Sequence, residues 1–111
     1  SKMERKLGIK SDSIKRLIKE VGYYEKELDG QRAKMSAMIS EGKDEYDIKK
    51  QREIVEESET MVPDTINRLL NAVRDLESFM EENADLESSP KWAAAISVLA
   101  DAHALNKPSE A

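Results

Sequence analysis

From Ile14 onward, positions 14, 17, 21, 24, 28, 31, 35 and 38 read Ile, Leu, Val, Tyr, Leu, Gln, Met and Met. Alternating steps of three and four hold these groups on one stripe of an α-helix, the seam along which helices pack as in a coiled coil. Strand patterning, with its period of two, has no place here. Asp12 and Ser13 are good N-caps, so the spacing predicts a first helix over about 13–40, and Ile18 and Ile39 widen its stripe. Gly22 and Gly30 fall off the seam and weaken the helix by about 1 kcal/mol each relative to Ala. The stripe runs through both. Only Gln31 interrupts it.

A second stripe runs 48, 51, 55, 58, 62, 65, 69, 72, 76 and 79, reading Ile, Gln, Val, Ser, Val, Thr, Leu, Ala, Leu and Phe. It predicts a helix over about 47–83, and it passes Pro63 without a phase slip. A proline inside a helix removes a donor and clashes with the preceding turn, at a cost of about 3 kcal/mol. If Pro63 opened a new helix, its N-cap would be Val62, a poor one. Two separate helices also have no reason to share one frame. The reading is therefore one helix with a kink, its proline following a seam position and so lying off the core face. Between the two stripes, "SEGKDEYD" (40–47) supplies Gly42 as C-cap and Asp44 or Asp47 as the next N-cap.

"SSPKW" starts a third helix over about 90–105, with Ser89 as N-cap and Pro90 at the first helical position. Trp92, Ile96, Leu99 and His103 share one spacing there, beside Ala95, Val98 and Ala102. Residues 106–111 read as a frayed tail. Short turns make neighbouring helices antiparallel. The expectation for residues 1–111 is a single all-α domain, an elongated antiparallel three-helix bundle with a proline kink in its second helix.

Several chemistries are hard to place on this chain. Without cysteine and with one histidine, neither disulfides nor a zinc site can be assembled. His103 has no recognisable acid–base partner in sequence, so it reads as a structural or edge residue. A calcium loop begun at Asp44 would place Tyr46 and Ile48 at ligand positions and fails. No glycine-rich phosphate loop occurs. An enzyme, a cofactor and a metal are all unexpected. No run of about 18 apolar residues is present, and the N-terminus lacks an apolar signal segment, so a soluble intracellular protein is expected. The Met residues at seam spacing read as core packing. Net charge is −5, which argues against nucleic-acid binding. Residues 1–52 carry 14 Lys/Arg against 10 Asp/Glu, and residues 53–111 carry 4 against 13. The asymmetry permits a basic flank and an acidic one. What remains is surface: Lys15, Arg16, Lys19 and Lys26 on the first helix, Lys49, Lys50 and Arg52 opening the second.

"KRLIKEVGYYEKE" (15–27), "YDIKKQREIVEES" (46–58) and "MVPD" (61–64) followed by "RL" (68–69) resemble the tubulin-binding cofactor A family, also called tubulin-specific chaperone A. The order and spacing of these pieces carry the resemblance, which covers about residues 9–86. The segment "KWAAAISVLADAHAL" is only generically like the family's third helix. The family usually has isoleucine before the proline, where this chain has Val62.

The resemblance implies a small cytoplasmic, cytoskeleton-associated three-helix protein. It would capture β-tubulin released from the cytosolic chaperonin and hold it for heterodimer assembly, without nucleotide or covalent chemistry. Other tubulin-folding cofactors would be indirect partners, and neither nucleic acid nor membrane would be one. Because the family's cargo is acidic, docking is expected on the basic flank, at Lys15, Arg16, Lys19, Lys49, Lys50 and Arg52. Tyr23, off the seam, serves there as an aromatic anchor. The main alternative is a self-associating helical adaptor without tubulin specificity, its register set by Gln31, Gln51 and Ser58. A second is an acidic surface in residues 53–111 for a basic ligand. A monomer is expected, with a dimer as the alternative.

Overall fold

The computed structural model describes residues 1–105. The tail expected at 106–111 lies outside them. Three α-helices carry the described chain: α1 Lys2–Ser40, α2 Glu45–Glu82 and α3 Pro90–Leu105, with a short 3₁₀ helix, Ala84–Ser88, before α3. No strand occurs among the described residues. The fold is all-α and three-helical, as the stripes predict.

The start of α1 corrects the sequence reading, which places it near residue 13. The helix runs back to Lys2, through Asp12 and Ser13. Leu7 and Ile14 are both fully buried; they stand seven residues apart, so the seam begins a heptad earlier. A cap is worth about 1 kcal/mol. Burying a leucine is worth about 2 kcal/mol, and burial wins. The Ser1 hydroxyl instead accepts the Glu4 N–H at 3.2 Å.

α1 ends on Gly42, at φ 66°. The Lys43 N–H reaches the Met38 carbonyl at 3.0 Å, and the Gly42 N–H reaches Ile39 at 3.1 Å. This paired closure needs a left-handed residue, which only glycine adopts cheaply. Of the two candidate caps for α2, Asp44 does the work: its Oδ2 accepts the Tyr46 N–H at 3.1 Å. α2 is one continuous helix with Pro63 inside it, and Pro63 is exposed. The proline lacks an N–H, so position 63 sends no hydrogen bond back to the Glu59 carbonyl.

The Ser89 hydroxyl accepts the Lys91 N–H at 3.2 Å and donates to Glu4 Oε2 at 2.9 Å, so one residue caps α3 and ties it to α1. The Ser89 bond, with help from the terminal amine, holds the Glu4 carboxyl below its ordinary pKa. The Lys91 side chain lies against α1 at Gly8, where a Cβ would meet its Cδ at 3.4 Å, about an ordinary contact.

The buried face of α3 differs from the expected one. Ala95, Val98, Leu99 and Ala102 are buried, whereas Ile96 is 51% exposed. His103 is exposed too; its Nε2 lies 3.4 Å from Glu77 Oε2.

Internal packing divides the chain into two compact units. Among the described residues, the three-helix unit comprises Ser1–Ile18 and residues 67–105. The hairpin unit is Lys19–Ile66, formed by parts of α1 and α2 with their turn.

Candidate partner-docking surface

The hairpin unit is held in register by two glutamines that interrupt the apolar stripes. Gln51 is 2% exposed. Its Nε2 donates to the Gln31 main-chain carbonyl at 2.9 Å and to Gln31 Oε1 at 2.8 Å. A buried amide left unpaired costs about 1–3 kcal/mol, so this pair penalises any slip of one helix along the other. Arg32 and Glu59 form a longer exposed pair at 3.9 Å.

All seven residues expected to meet a partner are exposed. Lys15 and Arg16 belong to the three-helix unit, and the other five to the hairpin. Within the hairpin the Gln31–Gln51 bond sets the level. Tyr23 lies eight residues before Gln31, about 12 Å along the axis at 1.5 Å per residue. Lys49 and Lys50 lie just beyond Gln51 in the opposite direction. The hairpin therefore carries one cluster at Lys19, Tyr23 and Lys26, and another at Lys49, Lys50 and Arg52.

Aromatic groups mark both clusters. Tyr23 is 63% exposed, and its ring meets Tyr24 edge-on at 5.3 Å. In the other cluster the Lys50 ammonium sits 5.4 Å from the Tyr46 ring centre. Tyr46 and Ile54 are exposed as well. Tyr46, Lys50 and Ile54 stand at four-residue spacing on α2, off the seam. Lys15, Arg16, Lys19, Lys49 and Arg52 make no ion pair among the described residues.

The fold redistributes the charge asymmetry. Residues 1–18 carry 6 Lys/Arg and 2 Asp/Glu, but they share a unit with residues 67–105, which carry 3 and 7. The three-helix unit is thus neutral by sequence. The hairpin, with 8 Lys/Arg and 13 Asp/Glu, has net charge −5. Its basic clusters stand out against an acidic surround. Among the described residues, no group of three His, Cys, Asp or Glu is placed to hold a metal ion, and no helix is long and apolar enough to cross a membrane.

The family described as tubulin binding cofactor A matches residues 2–99. The human tubulin-specific chaperone A is 43% identical over 95 residues, 86% of this chain and 88% of that protein. The crystal structure of tubulin folding cofactor A from Arabidopsis thaliana superposes with a TM-score of 0.84 at 36% identity, covering 92% of this chain and 96% of the other. A solved β-tubulin binding post-chaperonin cofactor superposes with a TM-score of 0.79 at 31% identity, covering 90% and 96%. With the family match spanning nearly all of the described helices, and relatives alike in both sequence and fold, this chain belongs to the tubulin-binding cofactor A family of tubulin-folding chaperones.

Proposed function

We propose that this chain captures β-tubulin after its release from the cytosolic chaperonin and holds it in the cytoplasm for heterodimer assembly. The observation that carries this reading is the 31% identical relative of the same fold whose name states β-tubulin binding. The mechanism is stoichiometric holding. A bound fraction lowers the free concentration of an aggregation-prone chain by mass action, with no nucleotide and no covalent step. Other tubulin-folding cofactors act on the same cargo and are indirect partners.

Docking uses the exposed basic positions Lys49, Lys50 and Arg52 of α2 and Lys15, Arg16 and Lys19 of α1, with Tyr23 as anchor. Complementary charge steers encounter and fixes orientation, and exposed tyrosines supply contact area at small entropic cost. The Gln31–Gln51 pair supports this reading over the self-associating adaptor. Two of the polar seam groups that would set register between copies satisfy each other within one chain.

Co-purification from a cell extract tests the proposal. The expected outcome is β-tubulin recovered without α-tubulin. Reversing charge with Lys49→Glu and Lys50→Glu should weaken capture on the order of tenfold while leaving helicity unchanged by circular dichroism. Equal recovery with the charge-reversed chain would remove these residues from the docking set. Failure to recover β-tubulin at all would sink the function.

A further inference from the structure

Within the three-helix unit, α3 and the end of α2 bound a groove of about 360 Å³. Met80 and Leu99 form its floor, at 5% and 8% exposure. Trp92 and Ile96 line it beside Glu77 and Glu81. Ile96 is a branched apolar side chain left half in water, and Trp92 is only partly covered. The groove thus joins an apolar floor to an acidic rim. Residues 75–89 carry six Asp/Glu and no Lys or Arg. His103 Nε2 lies 3.4 Å from Glu77 Oε2 on this rim.

We propose that this groove binds a basic amphipathic helix of a partner protein. Apolar side chains spaced i, i+3 and i+4 would enter between Trp92 and Ile96, as in helix-in-groove recognition. Lysines or arginines flanking them would meet Glu77 and Glu81. Charge complementarity selects this occupant, because an acidic or neutral helix would desolvate the two carboxylates without pairing them. The surface is chemically opposite to the basic clusters of the hairpin. The inference is independent of β-tubulin capture, and either can fail without the other.

Trp92 is the only tryptophan of the chain, so its emission reports on the groove. The probe is an 18-residue Leu/Lys amphipathic helical peptide without tryptophan, titrated into the full chain. The expected result is a saturable one-to-one change in Trp92 emission that weakens as salt is added. Ile96→Asp should weaken binding on the order of tenfold or more, and Glu77→Lys with Glu81→Lys on the order of tenfold. Circular dichroism checks that each variant stays helical. Ile96 is exposed enough that its variant stands alone if the charge reversal misfolds. A Leu/Glu peptide of the same length should not bind. Equal binding of the Leu/Glu peptide, or unchanged binding to Ile96→Asp, would overturn the proposal. So would Trp92 emission that depends on protein concentration without peptide, which would assign the groove to a second copy.

Discussion

The three-helix unit and the hairpin unit draw on the same two long helices, yet they are stabilised differently. Of the thirteen buried apolar residues, eleven lie in the three-helix unit, among them Leu7, Ile14, Leu76 and Leu99. The hairpin has only Val21 and Val55. Two of its buried residues are polar, Gln51 and Thr65, each satisfied by a hydrogen bond. A third helix supplies the apolar face that two helices cannot give each other. The hairpin therefore relies on register-setting polar contacts and keeps more of its side chains in water. Local stability follows buried apolar contact, so the hairpin should show weaker amide protection than α1 near Leu7 or α2 near Leu76.

The difference can be tested by substitutions in each unit. Leu76→Ala, at a fully buried position, should cost about 3–4 kcal/mol, read as a lowered denaturation midpoint in urea. A loss below about 1 kcal/mol would deny the three-helix unit its role as the main core. In the hairpin, Pro63→Ala restores a missing helical donor at an exposed site. It should straighten α2 if the ring bends it, and stabilise the chain by up to about 3 kcal/mol. Unchanged β-tubulin recovery with that variant would make the proline architectural only. Gln51→Ala leaves the Gln31 carbonyl without its side-chain donor and should cost about 1–3 kcal/mol, with hydrogen exchange rising first around Gln31.

Ser89→Ala is the smallest of these changes. It removes a cap worth about 1 kcal/mol and the hydroxyl bonded to Glu4. Glu4 titrates below its ordinary value in the folded chain. Its contribution is therefore present above the unfolded-state pKa and is lost as pH falls through the lower folded value. With Ser89→Ala, the Glu4 carboxyl should titrate nearer its ordinary value in an NMR pH titration. An unmoved Glu4 titration would show that Ser89 is not what lowers it.

Reading through Pro63 worked because the heptad frame on either side of it stayed in phase, and phase is visible in one dimension. The start of α1 was misplaced because Asp12 and Ser13 look like caps, whereas the burial of Leu7 depends on residues far along the chain. The same limit applies to α3. Size and spacing favour Ile96, but the buried face of α3 runs through Ala95, Val98, Leu99 and Ala102 and leaves Ile96 exposed. In the docking set, exposure of the seven residues was legible from their off-seam positions. The level that the Gln31–Gln51 bond gives to the positions within the hairpin was not.

Helical class, helix number and continuity through Pro63 follow from periods of three and four, which are local and need no knowledge of neighbours. So does the closure at Gly42, because one left-handed residue suffices for it. The pairing of Gln31 with Gln51, the neutralisation of the basic N-terminal segment by residues from 67 onward, and the half-exposed groove at Trp92 and Ile96 come from packing alone. Each depends on which distant residues become neighbours, and burial, not spacing, sets that choice.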